Sequence, residues 1–181
     1  MSEETLQPVD DATEDEAEAA VTDRWAGVEL ELGKLVVAWS KVDFFVSRVF
    51  VGLARLSEPA ATLLIRRLKG EGMEQIIFSL LRAWEPASDA EQIGAWMQKV
   101  KKVREERNAL FHGALVDQFD GVQWQPTNIA YVFDKATGVA SLGGPRLSVE
   151  MLSGLRAQLR EISAEYNKLP AVAHEGITVG D

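Results

Sequence analysis

The chain has 181 residues, with 19 basic and 28 acidic side chains, a formal net charge of −9, 46% hydrophobic content and no cysteine. That length fits one ordinary domain with tails and a real core, and the missing cysteine excludes disulfides, thiolate metal sites and cysteine nucleophiles. No run of 18 apolar residues is present to span a membrane, and the opening MSEETLQPVDD lacks the basic and apolar regions of a secretory signal, so the expected location is the cytoplasm.

The charge is unevenly placed. Residues 1–22 hold eight acids and no base. With those eight removed from the 28, 20 acids face 19 bases and the remainder is nearly neutral. An acidic stretch low in aromatics predicts a disordered tail over 1–22. It reads either as a solubilising tail or as an acidic mimic that competes with nucleic acid for a basic groove. The basic groove would lie near residues 99–107, where Lys99, Lys101, Lys102, Arg104 and Arg107 outnumber Glu105 and Glu106.

From Trp25 the apolar residues alternate steps of three and four: Trp25, Val28, Leu32, Leu35, Trp39, Val42, Val46, Val49, Leu53. This predicts a long first helix with one apolar face. Ser57 before Glu58-Pro59 predicts the start of a short helix that stops at Gly70. The next helix puts Met73, Ile76, Ile77, Leu80, Leu81 and Trp84 on one face and ends at Pro86. Ser88 to Glu91 has the spacing of a capping box, opening a helix with Ile93, Trp96, Val100, Val103, Leu110 and Phe111 on its apolar side. After Gly113 the period changes from 3.6 to 2. Asp120-Gly121 predicts one hairpin turn, and NIAYVF with GVASL predicts a second hairpin across DKATG. Ser148 then caps a last helix carrying Leu152, Leu155, Leu159, Ile162, Tyr166 and Leu169. The expected fold class is mainly α: an antiparallel helical bundle over 23–169, a small antiparallel β insertion at about 115–142 before the last helix, and a flexible C-terminal tail over 170–181.

The stretch REERNALFHG, Arg104 to Gly113, carries the chemistry. Arg107 shares a helix line with Ile93 and Val100, so a charge stands where its neighbours are apolar. Such a guanidinium must snorkel, pair with an acid such as Asp43, or face a polar cavity. Asn108 and His112 lie four residues apart on one face, together with Lys101 and Arg104. Arg107 and His112 are about 140° apart on an ideal helix. Either the last turn unwinds at Gly113, or a site combines residues of two copies across a two-fold axis near this helix.

Arg107-Asn108-Ala109-Leu110-Phe111-His112-Gly113 resembles the RNxxxHG form of the motif of HEPN domains. The likeness extends to the long first helix, with Trp39-Ser40 followed by Asp43, and to the bundle plan. The resemblance implies a small helical domain, dimeric in many members, acting as a metal-independent endoribonuclease in toxin–antitoxin or phage-defence systems. It implies Arg107, Asn108 and His112 as catalytic residues, Lys101 and Arg104 as RNA-binding residues, no cofactor and no metal, and RNA, a second copy and an antitoxin or defence-system protein as partners. The other reading is a non-catalytic HEPN-like module for dimerisation or for binding a protein or nucleotide. Histidine suits proton transfer near neutral pH, and arginine's planar fork suits charge building on phosphoryl oxygens. His174, in the expected tail, has no assigned role. Two distant histidines without cysteine make no transition-metal site, and SLGGPR lacks the lysine of a phosphate-binding loop.

Overall fold

The computed structural model describes residues 11–68, 70–111, 114–119, 124–134, 139–143 and 145–174. Within them are helices α1 (Asp11–Ala54), α2 (Glu58–Arg67), α3 (Gly70–Leu81), α4 (Ala87–Phe111) and α5 (Val149–Tyr166). Strands β1 (Ala114–Phe119), β2 (Trp124–Asp134) and β3 (Val139–Gly143) form an antiparallel sheet in the order β1-β2-β3, placed before the last helix as expected. No described helix is long and apolar enough to cross a membrane.

The apolar periodicity becomes the core. Val28, Leu35, Trp39, Val42, Val46, Val49 and Leu53 of α1 are buried, and meet Ile93, Trp96, Val100 and Val103 of α4 and Leu152, Leu155, Leu159 and Ile162 of α5. Burial of this aliphatic surface drives the assembly at roughly 25 cal/mol per Å² removed from water. Contacts fix the helix directions. Gly27 lies against Val149, Glu31 binds Arg156 and Phe45 stacks on Tyr166, so α1 and α5 run parallel. Trp96 touches Tyr166 while Arg107 lies over Trp39, so α4 runs the other way. The Trp96 indole N–H donates to the Ile162 carbonyl at 2.9 Å, which satisfies a polar group inside that seam.

Four expectations are corrected. Helix α1 starts at Asp11 rather than after residue 22. The stretch is rich in alanine and glutamate, good helix formers, and its acids favour the positive end of the helix dipole. The remainder of the expected tail, residues 1–10, lies outside the described residues. Second, the expected capping box does not open α4, because the helix starts at Ala87 and the Glu85 carboxylate accepts from the Ala87 N–H at 3.1 Å.

Third, NIAYVF does not start a strand of its own: it continues from Trp124 in the single strand β2, which passes through Pro126 and serves both hairpins. Proline has no N–H to offer a ladder, and here its carbonyl alone is used, accepting from Leu147 N at 2.8 Å. Asn128 N donates to the Pro145 carbonyl beside it, so residues 145–147 cover this part of β2. The Asp120-Gly121 turn and residues 135–138 lie outside the described residues.

Fourth, the chain after residue 169 does not become a free tail at once. A 3-10 turn over Ala171–Ala173 buries Ala173, the Tyr166 hydroxyl donates to the Ala173 carbonyl at 3.0 Å, and the His174 ring stands edge-on to Tyr166. Arg48 donates to the His174 carbonyl. A small apolar run after Pro170 can fill the gap beside Tyr166, and its hydrogen bonds offset the ordering cost. Residues 175–181 lie outside the described residues.

Candidate functional site

Helix α4 carries two arginines into one cleft between α1, the start of α3 and its own C-terminal half. The cleft has a volume of about 490 Å³ and is lined by Trp39, Asp43, Gly70, Arg104, Arg107 and Asn108 among others. The arginines sit in different surroundings. Arg104 follows Val100 by one turn and continues the buried row, so its side chain lies on the cleft floor with 9% of its surface exposed. Arg107 is half-buried at the mouth. The charge expected on the apolar seam is therefore Arg104's more than Arg107's.

Arg104 is held by acids. Its Nη1 is in ionic contact with Glu74 Oε1 of α3, and its Nη2 stands 3.7 Å from Asp43 Oδ1 of α1. Both terminal guanidinium nitrogens are buried, so these two acids are what opposes the charge. The guanidinium also faces the Trp39 ring, 5.6 Å from its centroid. Burial pushes the Glu74 carboxyl above its ordinary range, while Arg104 and then Lys101 pull it back. Asp43, half-exposed, is also raised by desolvation and pulled back chiefly by Arg104. Gly70 makes room for this arrangement, because a Cβ there would stand 3.1 Å from Arg104 Cζ.

Arg107 is held by rings instead. Its guanidinium lies 5.6 Å from the Trp39 centroid and 5.0 Å from the Phe111 centroid. Its Nη1 donates to Asn108 Oδ1 at 3.1 Å. No carboxylate lies within ion-pair distance of it among the described residues. Stacking over aromatic faces fixes the plane of the guanidinium without neutralising it.

The sheet supports the end of this helix. Asn128 of β2 is fully buried, and its amide nitrogen donates to the Leu110 carbonyl, one of the carbonyls that a helix C-terminus leaves open. The strand insertion thus anchors the turn that carries Arg107, Asn108 and Phe111.

Of the sequence-predicted residues, Arg104, Arg107 and Asn108 meet in the cleft. Lys101 is exposed in a separate groove between α3 and α4, lined also by Gln75, Phe78 and Gly94. His112 and Gly113 lie outside the described residues. Sequence reading misses Glu74 altogether and gives Gly70 only the role of a helix stop. Among the described residues no group of His, Asp and Glu is placed to hold a metal ion. Compared with family models, curated proteins and solved structures, the chain matches none.

Proposed function

We propose that this cleft binds an RNA phosphodiester and that the chain is a metal-independent endoribonuclease of HEPN type, working in a toxin–antitoxin or phage-defence setting with an antitoxin-like or other defence protein as partner. The observation that supports it is Arg107: a guanidinium with no carboxylate partner among the described residues, its plane fixed by Trp39 and Phe111, at the mouth of a cleft and five residues before His112 in the sequence. The 2′-hydroxyl of the substrate attacks the adjacent phosphorus and loses its proton, while the departing 5′-oxygen gains one. The products are a 2′,3′-cyclic phosphate and a 5′-hydroxyl. Histidine is the side chain suited to this proton traffic, assigned to His112. Arg107 stabilises the charge on the non-bridging oxygens, and Asn108 keeps the guanidinium oriented. Lys101 and Arg104 divide in this reading: exposed Lys101 remains available to the RNA backbone, whereas Arg104 positions the cleft floor.

The test is incubation of the pure protein with RNA in EDTA, followed by analysis of the ends. Cyclic phosphates from wild type, and none from His112→Ala, are the expected result; an intact RNA in both rejects the enzyme. Mixing inactive Arg107→Ala with inactive His112→Ala decides whether the centre is shared between two copies, because only a shared centre regains activity.

One observation favours the second reading, a non-catalytic binding module. Asp43 and Glu71 line the cleft, as many acids as arginines, and Glu74 outside the lining pairs with Arg104. Binding of RNA without cleavage, or binding of a protein alone, is the outcome that this reading predicts.

A further inference from the structure

A larger groove lies on another face of the molecule. It has a volume of about 1120 Å³ and runs between α1 and α5, with Leu30, Gly33, Val37, Lys41 and Arg160 among its lining. Its α1 wall is apolar yet open: Leu30 is 59% exposed, Val37 72%, and Phe44 beyond it 54%. These three are spaced by seven, the repeat of a helix seam that meets another helix. Gly33, between the first two, has open space where a Cβ would stand. The rim is basic. Lys34, Lys41, Arg156 and Arg160 line it against Glu29, and Glu31 beneath takes up part of the charge of Lys34 and Arg156. An apolar floor with a cationic rim fits an acidic helix.

The same chain contains one. Helix α1 has 44 residues, about 66 Å at 1.5 Å per residue, whereas α5 with 18 residues covers about 27 Å. Because α5 runs parallel to α1 and begins level with Gly27, residues 11–26 extend past its start by about 24 Å. Residues 11–22 carry Asp11, Glu14, Asp15, Glu16 and Glu18 and no base. This arm is the continuation of the helix that walls the groove, so it cannot fold onto its own groove while α1 is unbroken. A second copy in the opposite direction can reach it.

We propose that the groove between α1 and α5 receives the acidic N-terminal arm of a second copy, in an isologous dimer whose two-fold axis crosses α1 near Ala26. Both arms are then seated by the same contact, as two-fold symmetry requires. An axis at Ala26 sets Glu18 level with Lys34 and Asp11 level with Lys41. The arm thereby gives the long helix a structural purpose and covers the Leu30–Val37 stripe. This places the axis on α1 rather than on α4, and it holds whether or not the cleft cleaves RNA.

Sedimentation of the full chain at micromolar concentration tests it, with circular dichroism to confirm the fold of each variant. Wild type is expected to be a dimer that weakens as salt rises. The arm variant Asp11→Lys/Glu18→Lys and the groove variant Lys34→Glu/Lys41→Glu should each raise the dissociation constant roughly tenfold or more. Combining all four substitutions should recover most of the loss, because each reversed charge meets its complement. A monomeric wild type overturns the proposal and leaves the groove to a different acidic chain. A dimer indifferent to the arm substitutions, or no recovery in the combined variant, overturns it as well.

Discussion

Two arginines three residues apart on α4 share a cleft and differ in almost everything else. Arg104 is buried, opposed by Glu74 and Asp43, and held where Gly70 leaves space. Arg107 is half-exposed, stacked between Trp39 and Phe111, and meets only the neutral amide of Asn108 as a hydrogen-bond partner in the described residues. A buried charge that is paired has been used to satisfy the fold, whereas a cation oriented but not neutralised retains its field for a ligand. The comparison gives Arg104 to the fold and supports the proposal that Arg107 meets the ligand.

The largest effect that can break this assignment comes from Arg104→Ala. Removing the guanidinium leaves Glu74 buried without its counterion, and breaking a buried pair this way costs about 3–5 kcal/mol. Chemical denaturation should show that loss, while the double variant Glu74→Leu/Arg104→Met should return most of it. An Arg104→Ala protein as stable as wild type would mean that the ion pair is not what the floor stands on.

Asn128→Ala comes next. It removes the donor to the Leu110 carbonyl, and an unsatisfied buried acceptor costs about 1–3 kcal/mol. Amide exchange should quicken in the last turn of α4 more than elsewhere. Equal acceleration throughout the helix would contradict a local role for the sheet.

Smaller again is Gly70→Ala. The added methyl stands too near the Arg104 guanidinium, which Glu74 and Asp43 restrain, and overpacking of this kind costs about 1 kcal/mol or somewhat more. In the Glu74→Leu/Arg104→Met background the penalty should vanish. Its persistence there would show that backbone strain, not the guanidinium, sets the cost.

The smallest effect is a pH dependence. Burial holds the Glu74 pKa above its ordinary value, so the folded state binds this proton more tightly than the unfolded state. Glu74 therefore contributes a stability loss as pH rises from the ordinary carboxylate range through its raised folded pKa. Difference titration of wild type against Glu74→Gln should show that downward slope in wild type only. An upward slope assigned to Glu74 would mean that Arg104 outweighs desolvation.

These contrasts also mark what the sequence made legible. The apolar rows of α1, α4 and α5 were readable because a 3.6-residue period repeats locally, and Val28 through Leu53, Ile93 through Val103 and Leu152 through Ile162 are buried accordingly. The buried status of Arg104 was not readable. It depends on Glu74, thirty residues earlier on another helix, and charged residues carry no periodic mark of their partners. The course of β2 through Pro126 was not readable either, because it depends on Leu147 taking the Pro126 carbonyl, a partner twenty-one residues away. The role of Asn128 depends likewise on where β2 meets the end of α4. The cleft's arginines were visible as residue types, but not which of them was already neutralised.

The most direct measurement compares RNA cleavage in EDTA and unfolding free energy for two variants, Arg107→Ala and Glu74→Leu/Arg104→Met. Losing the Arg107 guanidinium should lower the cleavage rate roughly a hundred- to a thousand-fold while changing stability by no more than about 1 kcal/mol, the worth of an exposed cation–π contact. The double variant should keep most of its activity, because its cation was neutralised from the start. Full activity in Arg107→Ala, or its unfolding, would contradict the account.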